Sequence, residues 1–233
     1  MLRSLILLVF WATTSSLAAL VLFPYTLITG DIDMLYWSAL KIVRAGLKLV
    51  GVRVQQVGLE HLDLACSYIY MCNHVSNLDP PAVIGWLPQR TSVMAKRSLF
   101  RIPVLGRAMR MASLVPIERR NKEAAIASVR AAADVLRSGL SMVVYPEGTR
   151  SPDGRLLPFK KGPFYMASET GARIVPVTVL NTEKMLPKGS VRLRAGTATV
   201  VFHPPVSPVD FSGREELMEA VRGAIASALP DRV

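Results

Sequence analysis

The sequence predicts an α/β fold: a mixed, largely parallel sheet flanked by helices, preceded by an N-terminal two-helix membrane-anchoring motif. Three observations carry this expectation. Short β-rich runs recur past residue 50 with helical stretches between them, and such alternation favours a sheet covered by helices. The first 50 residues differ in kind, opening on a long uncharged apolar run. No Pro- or Gly-rich linker divides residues 51–233, so these are expected to form one α/β domain behind an anchor at 1–50.

From Leu5 to Thr29 the chain reads LILLVFWATTSSLAALVLFPYTLIT, 25 residues without a charge, about enough helix to cross a hydrocarbon core. Pro24 and the polar Thr13–Ser16 patch weaken the case for a straight spanning helix. Met34–Val50 reads as a second helix, on which Lys41, Arg44 and Lys48 share one face, as a helix lying at a headgroup boundary requires. A cleaved signal peptide would use Ala18 and Ala19, but apolar sequence continues beyond them. A buried hairpin would have to hide a great deal of uncharged surface. A retained anchor is therefore expected, with spanning and one-leaflet insertion both open.

Strands are expected at Tyr68–Cys72, Ser92–Ala95, Ser113–Ile117, Met142–Tyr145, Ile174–Val179, Val191–Leu193 and Thr197–Phe202. The clearest helix follows Asn121, an N-cap residue; Ile126, Val129, Ala133 and Leu136 lie on one face, and it stops before Gly139. Leu217–Leu229 reads as a final amphipathic helix.

Composition excludes several classes. A chain of 233 residues, 51% hydrophobic and 19% charged, is neither disordered nor a repeat. One uncharged run does not make a multi-span bundle, and two cysteines frame no disulfide scaffold. His61 and His203 lack neighbours at metal-ligand spacing, so no metal site is expected. The net charge is +11, and residues 96–130 carry nine basic side chains against two acidic ones. That concentration points to a localised anionic partner: nucleic acid, anionic headgroups or a phosphorylated substrate. Nucleic acid is disfavoured, because Phe100 is the segment's single aromatic residue and the apolar N-terminus would go unexplained.

Two strand exits carry chemistry. The run YIYMC leads into NHVSNLDPPAV, placing His74 just past a strand and Asp79 at the start of a helix whose first turn holds proline. A carboxylate there can fix the imidazole tautomer and leave the other nitrogen free as general base; a structural His–Asp cap uses the same residues. Cys72 reads as a small core hydrophobe rather than a nucleophile. The second exit, SMVVYP followed by EGTRSPDGR, sets Glu147, Gly148, Thr149 and Arg150 after a buried strand. Glycine permits close backbone approach and Arg150 offers a fork suited to phosphate; a surface turn with a Glu–Arg pair is the alternative. Lys160 and Lys161 follow.

NHVSNLD, SLVPIERR, YPEGTRS and IVPVTV occur in the order and spacing of the four blocks of the glycerolipid acyltransferase family, and the chain resembles that family from about Tyr70 to Val179. Its two-helix membrane motif is also similar to residues 5–50. The resemblance implies transfer of a fatty acyl group from an acyl thioester to the sn-2 hydroxyl of 1-acyl-glycerol-3-phosphate, or to another lysolipid. A non-catalytic lipid-binding protein of the same fold is the other reading. It implies His74 as general base and Asp79 as its orienting partner. Glu147, Gly148, Thr149 and Arg150 would hold the glycerol phosphate, with Arg119 and Lys96 as further phosphate contacts. Ala112 and Ser113 stand where the second block often opens with glycine, and Arg120 beside Arg119 leaves the key arginine ambiguous. The implied partners are lysophosphatidic acid, acyl-CoA or acyl carrier protein as co-substrate, and membrane lipids. No metal or redox cofactor is called for. The catalytic domain would sit at the cytoplasmic face of the cell membrane. The oxyanion donor is expected among backbone N–H groups near the first block.

Overall fold

The computed structural model describes residues 1–118 and 122–230. The uncharged run forms one helix, α1 (Leu2–Thr29), with Pro24 inside it, and a three-residue turn leads to α2 (Asp33–Leu49). Next come β1 (Val52–Val57), β2 (Tyr68–Cys72), α3 (Asp79–Ile84), β3 (Thr91–Lys96), α4 (Leu105–Met111) and β4 (Val115–Ile117). The chain continues with α5 (Lys122–Arg137), β5 (Ser141–Val144), α6 (Lys161–Thr170), β6 (Arg173–Leu180), α7 (Thr182–Met185), β7 (Gly196–Phe202) and α8 (Arg214–Ser227). The expected cap at Asn121 lies outside the described residues.

The strands form one seven-stranded sheet in the order β1-β7-β6-β2-β5-β3-β4. From β6 to β4 all neighbours are parallel, β7 pairs antiparallel with β6, and β1 runs parallel to β7. The expected mixed, largely parallel sheet is what the chain forms. The carboxyl ends of β2, β5, β3 and β4 therefore share one edge, where α/β sheets bind ligands.

Alternation along each strand builds two core layers. Ile69 and Met71 join Met142, Val144 and Ile174 beneath Ala133, Leu136, Phe164, Leu217 and Val221, from α5, α6 and α8. Tyr68, Tyr70 and Cys72 face the other way, with Val143, Val175 and Val177 and the α3 residue Val83. Every residue of β2 is at most 1% exposed, and burying each large apolar side chain contributes roughly 1.5–3 kcal/mol.

Two elements depart from expectation. Val191–Leu193 is not a strand: Ser4 Oγ donates to the Val191 carbonyl and accepts from Leu193 N–H, so an α1 side chain takes the bonds a ladder would use. Conversely, β1 has no counterpart among the expected strands; it is an edge strand whose Arg53, Gln55 and Val57 lie exposed or half-exposed.

The N-terminal helices are not detached from the α/β part. Leu7 and Leu47 share a cluster with Val52, Leu78, Ala82 and Met185. Trp11 lies against Gly46, where a β-carbon would collide with its indole, so that glycine sets the closeness of α1 and α2. Arg3 Nη1 donates to the Val50 carbonyl at 2.8 Å. Toward the other end of α1, the Arg107 guanidinium stacks over Phe23 at 5.6 Å. The outer face is bare, with Leu8, Leu17, Leu20, Val21 and Ile28 exposed. Among the described residues α1 is the one helix long and apolar enough to cross a membrane.

Candidate active site

The loop after β2 is held by side chains from distant elements. Asn73 extends the β2–β6 pairing past the strand end, donating through Nδ2 to the Val179 carbonyl at 3.0 Å and accepting from Val179 N–H at 2.7 Å. One residue on, the His74 backbone is gripped on both sides. Its N–H donates to Glu147 Oε1 at 2.7 Å, and its carbonyl accepts from Ser151 N–H at 2.7 Å. The β2 and β5 exits are thereby locked together.

Asp79, fully buried at the start of α3, is the hub. Its Oδ2 accepts from His74 Nδ1 at 2.7 Å, Val75 N–H at 2.7 Å and Ser76 N–H at 2.8 Å; its Oδ1 accepts from Thr182 Oγ1. Four donors converge on a group that, ionised, only accepts. With the imidazole proton on Nδ1, Nε2 presents a lone pair and has no hydrogen-bond partner among the described residues. The His74 side chain is 12% exposed, enough to be reached from one side. The Tyr145 ring packs against the imidazole with centroids 4.2 Å apart. The Tyr145 hydroxyl is buried without a hydrogen-bond partner among the described residues, and burial pushes its pKa well above the ordinary value, so it stays neutral.

Glu147 corrects an expectation. Its two carboxylate oxygens are taken by backbone donors, His74 N–H on Oε1 and Leu157 N–H at 2.9 Å on Oε2, and it is 2% exposed. Turned inward, with both oxygens taken by backbone N–H groups, it braces the loop and does not face outward toward a ligand as the expected phosphate contact would. Burial raises its pKa to about 7, against the opposing pull of the two N–H donors.

The next three residues do face outward. Gly148 adopts φ +72°, a left-handed turn that glycine takes without strain, and its N–H donates to the Tyr145 carbonyl at 3.0 Å. Thr149 is exposed, and the half-buried Arg150 makes no side-chain hydrogen bond or ion pair with a described residue. Lys188 Nζ donates to the Arg150 carbonyl at 2.6 Å, and Lys160 runs alongside Gly148. Lys161 instead pairs with Glu215 at the surface. Lys96 is exposed at the end of β3; β5 lies between β3 and β2, which sets Lys96 two strand spacings from His74, about 10 Å. Arg119 and Arg120 lie outside the described residues.

Rival nucleophiles are sealed. Cys72 is fully buried and its thiol pKa is driven up by desolvation, while Ser76 Oγ donates to the Leu186 carbonyl. His203 is engaged with Thr178 at 2.9 Å. No group of three or more metal-ligating side chains converges among the described residues. The backbone N–H groups of residues 74–76 are all committed to Glu147 and Asp79, so an oxyanion donor is not among these three first-block amides. Thr182, Tyr145, Ser151 and Lys188 escaped sequence reasoning; Thr182 is 103 residues from the carboxylate it supports, and no spacing signals that.

The Acyltransferase family model matches residues 53–180. A chloroplastic 1-acyl-sn-glycerol-3-phosphate acyltransferase from Brassica napus is 36% identical over 74% of this chain and 49% of its own length. This chain thus spans about half the length of such plant relatives. A 1-acyl-sn-glycerol-3-phosphate acyltransferase from Borreliella burgdorferi is 30% identical over 80% of the chain and 76% of its own. The crystal structure of the 1-acyl-sn-glycerophosphate acyltransferase from Thermotoga maritima superposes with a TM-score of 0.81 at 27% identity, covering 99% of both chains.

Proposed function

This chain belongs to the acyltransferase family, and from that premise we propose that it transfers a fatty acyl group from an acyl thioester to the sn-2 hydroxyl of 1-acyl-glycerol-3-phosphate, forming phosphatidic acid. The observation that carries the reading is the His74–Asp79 pair at 2.7 Å, with the far imidazole nitrogen unpartnered among the described residues at the carboxyl edge of the sheet. The relatives named above supply the acceptor.

The residues support a direct transfer. Nε2 of His74 takes the acceptor's hydroxyl proton as that oxygen attacks the thioester carbonyl. Asp79 stabilises the imidazolium through Nδ1–H. The tetrahedral intermediate collapses, the C–O ester bond is kept, the C–S bond breaks, and the departing thiolate recovers the proton from Nε2. No enzyme nucleophile takes part, consistent with the burial of Cys72 and Ser76. Acyl-CoA or an acyl carrier protein thioester serves as co-substrate, with no metal or redox cofactor. Glu147 acts by positioning His74. Gly148, Thr149 and Arg150, with Lys96 and Arg119, remain the phosphate contacts in this reading, and Lys160 and Lys188 add to the positive field beside them.

The test is thiol release from both thioester types across a panel of lysolipids. Lysophosphatidate is expected to be the preferred acceptor; equal rates with acceptors lacking a terminal phosphate would move the assignment to another lysolipid. Arg150→Ala is expected to cost roughly 1.5–3 kcal/mol of transition-state binding with the phosphate-bearing acceptor alone. A loss equal for all acceptors would remove Arg150 from the phosphate site. Arg150→Lys is expected to rescue incompletely, because the bidentate fork is lost.

The helix pair attaches the protein to the cell membrane from the cytoplasmic face without crossing it. Arg3 and Phe23 both touch the same body, at Val50 and Arg107. The helix between them is about 30 Å long, so α1 lies along the domain and offers its apolar outer face sideways to one leaflet. High salt or alkaline carbonate is expected to leave the protein on membranes. Protease is expected to remove an N-terminal tag and digest the catalytic domain from the same side of sealed vesicles; removal from opposite sides would mean that α1 spans.

A further inference from the structure

We infer that the segment from Arg97 to Arg110 is a second, preformed membrane contact: a rigid apolar knuckle flanked by arginines that enters the headgroup layer of an anionic leaflet. This deepens the membrane reading of α1 given above and rests on it.

The segment is a 3₁₀ turn at Arg97–Arg101 followed by α4. Its tip exposes Leu99 at 38%, Ile102 at 45% and Leu105 at 45%. Arg97, Arg101, Arg107 and Arg110 belong to the same segment and are all exposed, and no acidic residue occurs in sequence from Lys96 to Ile117. Scattered exposed leucines are ordinary on a soluble surface; an apolar tip beside four exposed arginines, with Glu118 the one acidic side chain among the described residues lining the cleft beside Arg97, Arg101 and Arg110, is not. Water is a poor partner for the first and an anionic surface a good one for both, because long arginine stems can lie along acyl chains while their heads reach phosphate.

The backbone is fixed in this shape. Val104 sits at φ +59°, ψ −65°, with Leu105 N–H donating to the Pro103 carbonyl at 2.6 Å, which is a tight three-residue turn rarely adopted by a β-branched residue. Gly106 N–H donates to the Ile102 carbonyl at 2.7 Å, and Gly106 packs so closely on the Phe100 backbone that a side chain would not fit. Arg110 Nη1 closes the turn on the Phe100 carbonyl at 2.8 Å. Strain held by this many bonds keeps Ile102 and Leu105 outward, where their burial in the domain is unavailable.

Continuity with the anchor selects a membrane over an acidic protein as the occupant. Arg107 of this segment stacks on Phe23 of α1, next to the exposed Val21, Leu27 and Ile28. The knuckle and the apolar face of α1 thus border each other, and any leaflet that receives the second lies against the first.

The test uses the full chain with Cys66→Ser, so that one introduced cysteine carries an environment-sensitive fluorophore, at Ile102 or, as reference, at Ile28. Vesicles are neutral phosphatidylcholine, or phosphatidylcholine with phosphatidylglycerol, with a lipid-borne spin label as quencher. Both labels are expected to blue-shift and be quenched on anionic vesicles. Arg97→Glu with Arg101→Glu is expected to lower the ratio of inserted to withdrawn label at position 102 by about tenfold or more, leaving position 28 unchanged. If position 28 is quenched and position 102 stays in water, the knuckle is not a membrane contact and the proposal fails while the α1 reading stands. If neither is quenched, the α1 reading itself is wrong. A blue shift at 102 caused by soluble acyl carrier protein and not by vesicles would overturn the proposal in favour of donor docking.

Discussion

His74→Ala is expected to lower turnover about 10²–10⁴-fold, the usual cost of removing a general base, while the variant folds and binds membranes as the wild type does. The fold is spared because the side chain is a minor tie of its loop. Asp79 keeps its bonds to Val75 N–H, Ser76 N–H and Thr182, and the His74 backbone keeps Glu147 and Ser151. The loss is therefore chemical, and steady-state thiol release together with an unchanged thermal midpoint reads it. A variant that keeps more than half of wild-type kcat would remove His74 from the reaction. Asp79→Asn makes a sharper companion. An asparagine amide presents one acceptor where the carboxylate meets four donors, so it is expected to damage both the tautomer of His74 and the stability of the loop. Thr182→Val, which removes one of those donors and leaves the other three, is expected to fall between.

The sheet and its chemistry were legible in the sequence to different depths. Tyr68–Cys72 was readable to the residue because a strand covered on both faces is a continuous apolar run. The edge strand β1 was hidden because, although its burial alternates, a polar Gln56 stands on the inner side and an apolar Val57 on the outer one, which breaks the apolar alternation that would announce a strand. His74 and Asp79 were legible because their partnership is local. The direction of Glu147 was not: what turns it inward is the N–H of His74, 73 positions away in sequence and brought near by the parallel pairing of β2 and β5. The same holds for Thr182 beyond β6. A polar residue after a buried strand reads equally well as ligand or brace until the neighbouring strand is known.

Glu147→Gln is expected to reduce turnover about 10²-fold, the scale of loss from an ångström's misplacement of a reacting group, without altering acceptor preference. The carboxylate serves two amide donors, His74 N–H and Leu157 N–H. A glutamine can accept from one and must turn its own N–H₂ toward the other, leaving a buried donor unsatisfied and the His74 backbone free to shift. A residue in direct contact with phosphate would, by contrast, discriminate among acceptors when changed. The second readout is stability against pH. Burial lifts the Glu147 pKa from its ordinary 4.5 to about 7, so the folded state holds this proton more tightly than the unfolded chain does. The stability it contributes is therefore fully present below about pH 4.5 and is lost as pH rises through about 7. That loss is on the order of 3 kcal/mol across the window, at 1.36 kcal/mol per pKa unit. The wild-type denaturation midpoint is accordingly expected to fall from pH 5 to pH 8 more steeply than that of Glu147→Gln, which has no proton to lose there. Parallel midpoint curves for the two proteins would show that Glu147 carries no buried charge, and a glutamine variant of undiminished kcat would show that it does not hold His74 in place.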